Sequence, residues 1–154
     1  MVERTDPGSV GVVAGRVVGA LTVVLTVVGM LTQQEGFYRA VRLLLAGLES
    51  DFDVPVWVLF WGNIALVATA RYAFCYVLGS LLGVAYDWLD RPGIAFLAVV
   101  VVLIGVVDAI YGGLGARSVL VGVGYLLAWV AYVPVFAWLL EDGEPMDSGP
   151  VRLE

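Results

Sequence analysis

Histidine and lysine are absent from this 154-residue chain, cysteine occurs once, as Cys75, and charged residues make up only 14%. Each absence excludes something. Without histidine there is no imidazole for haem or zinc and no ordinary general base. Without lysine, Schiff-base chemistry and retinal attachment are excluded. One cysteine cannot close an intramolecular disulfide. All eight basic residues are arginine; with fourteen acids the net charge is −6. An acidic chain is a poor partner for nucleic acid. No cofactor is expected, and Asp87 and Asp90, two carboxylates three apart in a loop around Arg91, read as turn and cap residues rather than metal ligands.

What the chain has is apolar sequence. It is 61% hydrophobic, against about 45–50% in soluble domains. From Val54 to Tyr86 one charge, Arg71, interrupts the run, and further apolar blocks cover 10–32, 94–111 and 119–140. Runs of about 18 or more such residues are membrane-spanning helices. The expected fold is therefore all-α: an integral membrane four-helix bundle. The first block starts late and ends in Thr32-Gln33-Gln34-Glu35 rather than at a small-residue cleavage site, so it reads as a permanent helix. The expected organisation is a polar tail over 1–9, one transmembrane domain over 10–140 and an acidic disordered tail over 141–154. Spans are placed at 10–31, 55–86, 93–111 and 119–140.

Small residues on the first span, Gly11, Gly15, Gly19, Thr22, Thr26 and Gly29, recur every three or four positions. They form one helix face, which lets another backbone approach closely in a membrane. The mate can be another span of this chain or another subunit. Between the first two spans, residues 36–49 place Phe37, Val41, Leu44, Leu45 and Leu48 on one face and Arg39, Arg42, Ala46 and Glu49 on the other. That pattern predicts an amphipathic helix lying in the membrane interface. The long run has no turn signal near Arg71, so it reads as one overlong, tilted or projecting helix. It carries its own small or polar stripe: Gly62, Ala65, Thr69, Ala73, Tyr76, Ser80, Gly83 and Asp87. Trp57, Trp61 and Trp88 read as interfacial belt residues, and most tyrosines as anchors of the same kind. Asp87 to Gly93 is a short loop, making the second and third spans antiparallel neighbours. Gly112 to Ser118 reads as a glycine-rich turn, with Ser118 capping a fourth span that Pro134 kinks.

Ionisable groups inside a membrane helix call for a partner. Arg71 and Asp108 both qualify, and counting outward from the loop near Asp90 brings them to similar depth. Three readings follow. The two form a structural clamp, joined by Arg117; or Asp108 sits among headgroups while Arg71 snorkels separately; or they form an ion or substrate site. Asn63 is a further polar residue that can hydrogen-bond a neighbouring helix.

In composition the chain resembles proteins of extreme halophiles: no lysine, valine-rich helices and acidic ends, which suit a salty medium that screens repulsion. Four spans put both termini on one side. Arginines are Arg4, Arg16, Arg91 and Arg152 on that side, and Arg39, Arg42, Arg117 and Arg71 on the other. If Arg71 is buried it does not count, which favours cytoplasmic termini. The expected function is non-catalytic: a multi-pass membrane protein acting through helix packing, as a subunit of a complex or a homo-oligomeric scaffold in the lipid bilayer. The alternative is a small oligomeric transporter or channel using Arg71 and Asp108. A lipid-modifying enzyme ranks last.

Overall fold

A computed structural model describes residues 6–47 and 54–142. The expectations placed on 1–5, on Leu48 and Glu49, and on the tail beyond Asp142 lie outside the described residues. Among the described residues the order is α1 (Pro7–Thr32), α2 (Gln34–Gly47), α3 (Val56–Trp88), α4 (Ile94–Ala116), α5 (Val119–Val130) and α6 (Tyr132–Asp142). Three of these helices, and α5 with α6 taken together, are long and apolar enough to cross a membrane. Large apolar side chains such as Leu66, Leu103 and Leu127 face outward at 61–70% exposure. No soluble bundle leaves such a surface in water, so this is a multi-pass membrane protein of all-α architecture.

The element ends follow from local chemistry. α1 begins at Pro7, three residues before the expected Val10. The Asp6 carboxylate accepts from the Gly8 and Ser9 amides, and Pro7 needs no amide partner at a first-turn position. Ser118 caps α5 by accepting from the Val121 amide at 3.4 Å. The fourth span divides at Ala131 because Pro134 has no amide to offer the Val130 carbonyl four residues back. α6 keeps helical geometry through Asp142, so residues 141–142 are not tail.

The glycine-rich segment departs from expectation. Gly112, Gly113 and Gly115 are helical, and α4 ends only at Ala116. The turn itself is Arg117 and Ser118, with Arg117 in the left-handed region at φ 50°. Glycine here serves packing rather than bending: a Cβ on Gly113 would press on the Gly122 backbone at 3.3 Å, and one on Gly112 would enter the Tyr125 ring. In lipid, where apolar area gives no association, close backbone approach is what holds helices together.

α1 is the hub. It packs on α3 along one side and on α5 and α6 along the other, while α4 packs on α5. The α1 stripe meets α3 of the same chain in antiparallel register. A Cβ on Gly15 would lie 2.7 Å from the Cys75 carbonyl oxygen, and one on Gly79 would lie 2.5 Å from the Gly15 Cα. Gly83 sits against Pro7 and Gly11 in the same way. The stripe's mate is thus Cys75, Gly79 and Gly83, and the α1 face is used up inside the molecule.

The stripe expected on α3 is not this contact face. Gly62, Ala65, Thr69 and Ala73 are exposed; only Gly83 at its lower end is buried. Two residues beyond a small residue lies another face of the helix, and the pairing with Gly11 and Gly15 selects the Cys75–Gly79 face. The most apolar stretch of α3 is only 17% buried, against 44% for α1, so α3 lies at the edge. α3 and α4, though joined by the short loop at Leu89–Gly93, diverge rather than pack along their length. At 33 residues α3 is about 50 Å long, well beyond a ~30 Å hydrocarbon core. Its first turns carry α2: the Phe37 and Tyr38 rings both lie 5.4 Å from Phe60. Phe37, Val41 and Leu45 turn partly inward, whereas Leu43 and Leu44 are exposed. α2 therefore presents an apolar edge beside Arg39 and Arg42, as an interfacial helix does.

Candidate functional site

Arg71 lies near the middle of α3, and Asp108 about 12 Å inside the Ala116 end of α4. The Arg71 Nη2 donates to Asp108 Oδ2 in an ion pair that bridges the gap between the two diverging helices. The two carboxylate and guanidinium side chains are 10% and 19% exposed. The pair meets across the gap as depth counting from the loop predicts. The pair does not fit the reading in which Arg71 snorkels independently of Asp108.

The pair is embedded in polar contacts from every span. Trp129 Nε1 donates to the same Asp108 Oδ2 at 2.8 Å. The Arg71 guanidinium lies over the Tyr125 ring, 4.5 Å from its centre. The Tyr125 hydroxyl is 2.7 Å from Thr26 Oγ1, and Thr26 donates its proton to the Thr22 carbonyl at 2.8 Å. Tyr125 is therefore the donor to Thr26. The Thr22 hydroxyl donates to the Gly19 carbonyl and lies 3.4 Å from Cys75 Sγ, which leaves the thiol to donate to Thr22. One turn below, the Tyr132 hydroxyl donates to the Gly79 carbonyl at 2.9 Å. The outcome is one opposite-charge pair, neutral overall, with ring and hydroxyl groups stacked along α1 and α5. One atom is left over: Arg71 Nε is buried with no partner among the described residues.

The other residues singled out in the sequence stand apart from this cluster. Arg117 is exposed in the α4–α5 turn and does not join the clamp, because its left-handed backbone ends the helix about two and a half turns beyond Asp108. Asn63 is half-buried about two turns before Arg71 on α3. On the α1 stripe, Thr22 and Thr26 belong to the network, while Gly11, Gly15, Gly19 and Gly29 provide close packing. Tyr125, Trp129 and Tyr132 are core groups, not interfacial anchors. Their depth in the fourth span was the available signal: Tyr125 and Trp129 are four apart, on one face, well inside the Ser118 cap.

Two cavities approach the cluster. One, of about 830 Å³, opens at the α2 end among Gln33, Glu35, Arg39 and Arg117, and reaches Thr26 and Tyr125. The other, of about 600 Å³, is a lateral groove between α3 and α4. Arg71 and Asp108 line it together with Phe74, Leu78, Leu103 and Val107. No protein family, characterised protein or solved structure matches this chain.

Proposed function

We propose that this is a non-catalytic membrane protein acting through helix packing, as a subunit of a larger membrane assembly. The observation that carries this reading is the uncovered face of α3, where Gly62, Ala65, Thr69 and Ala73 lie exposed on the side opposite Arg71. Small residues gain little from lipid tails, but they let a second helix approach to backbone contact. The α1 stripe cannot serve an assembly, because α3 of the same chain fills it. The partner is thus a transmembrane helix with a small or grooved face, from another subunit or a second copy. Cytoplasmic termini fit this reading, since Arg71 is engaged by Asp108 and drops out of the arginine count. So does a high-salt medium, which suits the acidic composition.

The test is a paired substitution, Ala65→Leu with Ala73→Leu, in tagged protein extracted gently at high salt. Both positions face outward, so the fold is expected to survive. The complex mass is expected to fall to that of the single chain, and the composition of the unsubstituted complex tells other subunits from a second copy. An unchanged mass would overturn the reading.

A second reading, a small transporter or channel working through Arg71 and Asp108, has one observation in its favour. The cavity at the α2 end reaches Tyr125, the ring on which Arg71 rests. It requires that Asp108→Asn abolish flux in vesicles while leaving the fold in place.

A further inference from the structure

Both donors that reach Asp108, Arg71 Nη2 and Trp129 Nε1, converge on a single oxygen, Oδ2. The second oxygen, Oδ1, has no hydrogen-bond partner among the described residues. Nor is it sealed off, since Arg71 Nε is the one side-chain polar atom found both buried and unpartnered there. Asp108 lines the groove between α3 and α4, whose other walls besides Arg71 are Phe74, Leu78, Leu103, Ile104, Val107 and Tyr111, and Oδ1 is the carboxylate oxygen left free to meet a ligand there. That groove faces hydrocarbon. A carboxylate oxygen with open lone pairs is costly in such a place unless a donor satisfies it.

We propose that the α3–α4 groove is a binding site for a neutral long-chain amphipath with a hydroxyl head, the hydroxyl donating to Asp108 Oδ1 and the chain lying along the groove. Three features select this class. The first is depth: the polar end lies about 12 Å inside the end of α4. A phospholipid keeps its charged headgroup at the surface and offers only methylenes at that level, whereas a lone neutral hydroxyl is small enough to be drawn down to Asp108, whose hydrogen bond offsets its desolvation. The second is charge: Arg71 and Asp108 cancel, so a carboxylate ligand would meet Asp108 and an ammonium would meet Arg71. The third is shape: from Arg71 to Leu78 the groove runs about 10 Å along the helix axes, parallel to lipid tails, with Phe74 as an aromatic wall. This site lies on the Arg71 side of α3, away from the small-residue face, and does not depend on the assembly reading.

The test uses a photoactivatable long-chain primary alcohol and its methyl ether, added to the full chain in lipid nanodiscs, with labelled peptides identified by mass spectrometry. The alcohol is expected to label peptides containing Phe74, Leu78 and Leu103, and the ether to label them roughly tenfold less, having lost a hydrogen bond to a charged acceptor. Val107→Trp fills the groove from its outward-facing wall and is expected to remove groove labelling with the thermal transition unchanged. The double variant Arg71→Leu, Asp108→Leu removes the polar end together with its counter-charge, so the fold persists and alcohol labelling falls to the ether's level. Equal labelling by alcohol and ether overturns the proposal and leaves a groove filled by ordinary lipid tails. Alcohol labelling that survives Val107→Trp, or that spreads evenly around α3, overturns it as well.

Discussion

Gly79 is where the fold is most exposed to a single added methyl group. A Cβ there would lie 2.5 Å from the Gly15 Cα and 2.7 Å from the Gly11 carbonyl oxygen. Both are backbone atoms and cannot swing aside. Carbon atoms sit comfortably at about 3.5–4.0 Å, so α1 and α3 must part by about 1 Å, and a gap of that size forfeits a quarter to a half of each contact along the seam. Overpacking of this kind costs typically 1–3 kcal/mol. Alanine also raises helix propensity, by up to about 1 kcal/mol. Gly62→Ala removes that ambiguity, since a Cβ on Gly62 meets nothing within 4 Å. Propensity is common to both variants, so their difference isolates the seam. Gly79→Ala is expected to be less stable than Gly62→Ala by about 1–3 kcal/mol, roughly 5- to 150-fold in the unfolding constant. The assay is reversible unfolding in mixed micelles, followed by tryptophan fluorescence. Equal stabilities, within about 0.5 kcal/mol, would refute a backbone-to-backbone seam between α1 and α3.

Further expectations concern the polar cluster and the loops. Arg71→Leu or Asp108→Leu alone leaves one buried charge uncompensated and is expected to cost about 3–5 kcal/mol, while the double variant recovers most of it, as a double-mutant cycle in the same unfolding assay will read. The charge swap Arg71→Asp with Asp108→Arg is expected to restore only part of the loss, because Trp129 Nε1 then faces a guanidinium and Tyr125 loses its cation. Tyr132→Phe deletes the bond to the Gly79 carbonyl and is expected to cost about 1 kcal/mol by the same measurement. Arg91→Gly relieves a left-handed residue at φ 57° and is expected to raise stability by several tenths to about 1 kcal/mol, since its 3.4 Å contact with Asp87 is exposed and adds little.

The spans were legible because the bilayer demands a long apolar run, and the Arg71–Asp108 pair because a short loop makes depth countable on both sides of it. Ser118 and Pro134 were legible because a cap and a missing amide act locally. What could not be read is which helix face meets which neighbour. α3 carries small residues on two faces, and only the fit of Gly79 and Gly83 to Gly11 and Gly15 decides between them. The glycines from 112 to 115 read as a turn because glycine breaks helices in water; inside a membrane the same residue permits the closest packing, and only the bulk of Tyr125 on the facing helix tells the two apart. Residue type alone places Tyr125 among the interfacial anchors, although its distance from the Ser118 cap argues for the interior, where it lies.

These glycines also explain how the chain tolerates a charge pair at such depth. Bringing two ions out of water is costly, and mutual attraction compensates only where further hydrogen bonds satisfy them. Here the additional contacts come from two rings of α5: Trp129 donates to Asp108, and Tyr125 lies beneath Arg71. Neither ring could occupy its place against an ordinary α4. A Cβ on Gly105 would lie 2.9 Å from the Trp129 Cβ, and one on Gly112 would enter the Tyr125 ring. Gly105 and Gly112 flank Asp108 by three and four residues, on the same helix face. The sequence Gly105-x-x-Asp108-x-x-x-Gly112 is thus a single device: a carboxylate with a gap on either side, into which α5 sets one ring for the anion and one for its cation. Among the described residues, α5 thus covers the pair on one side, and the α3–α4 groove borders it on another.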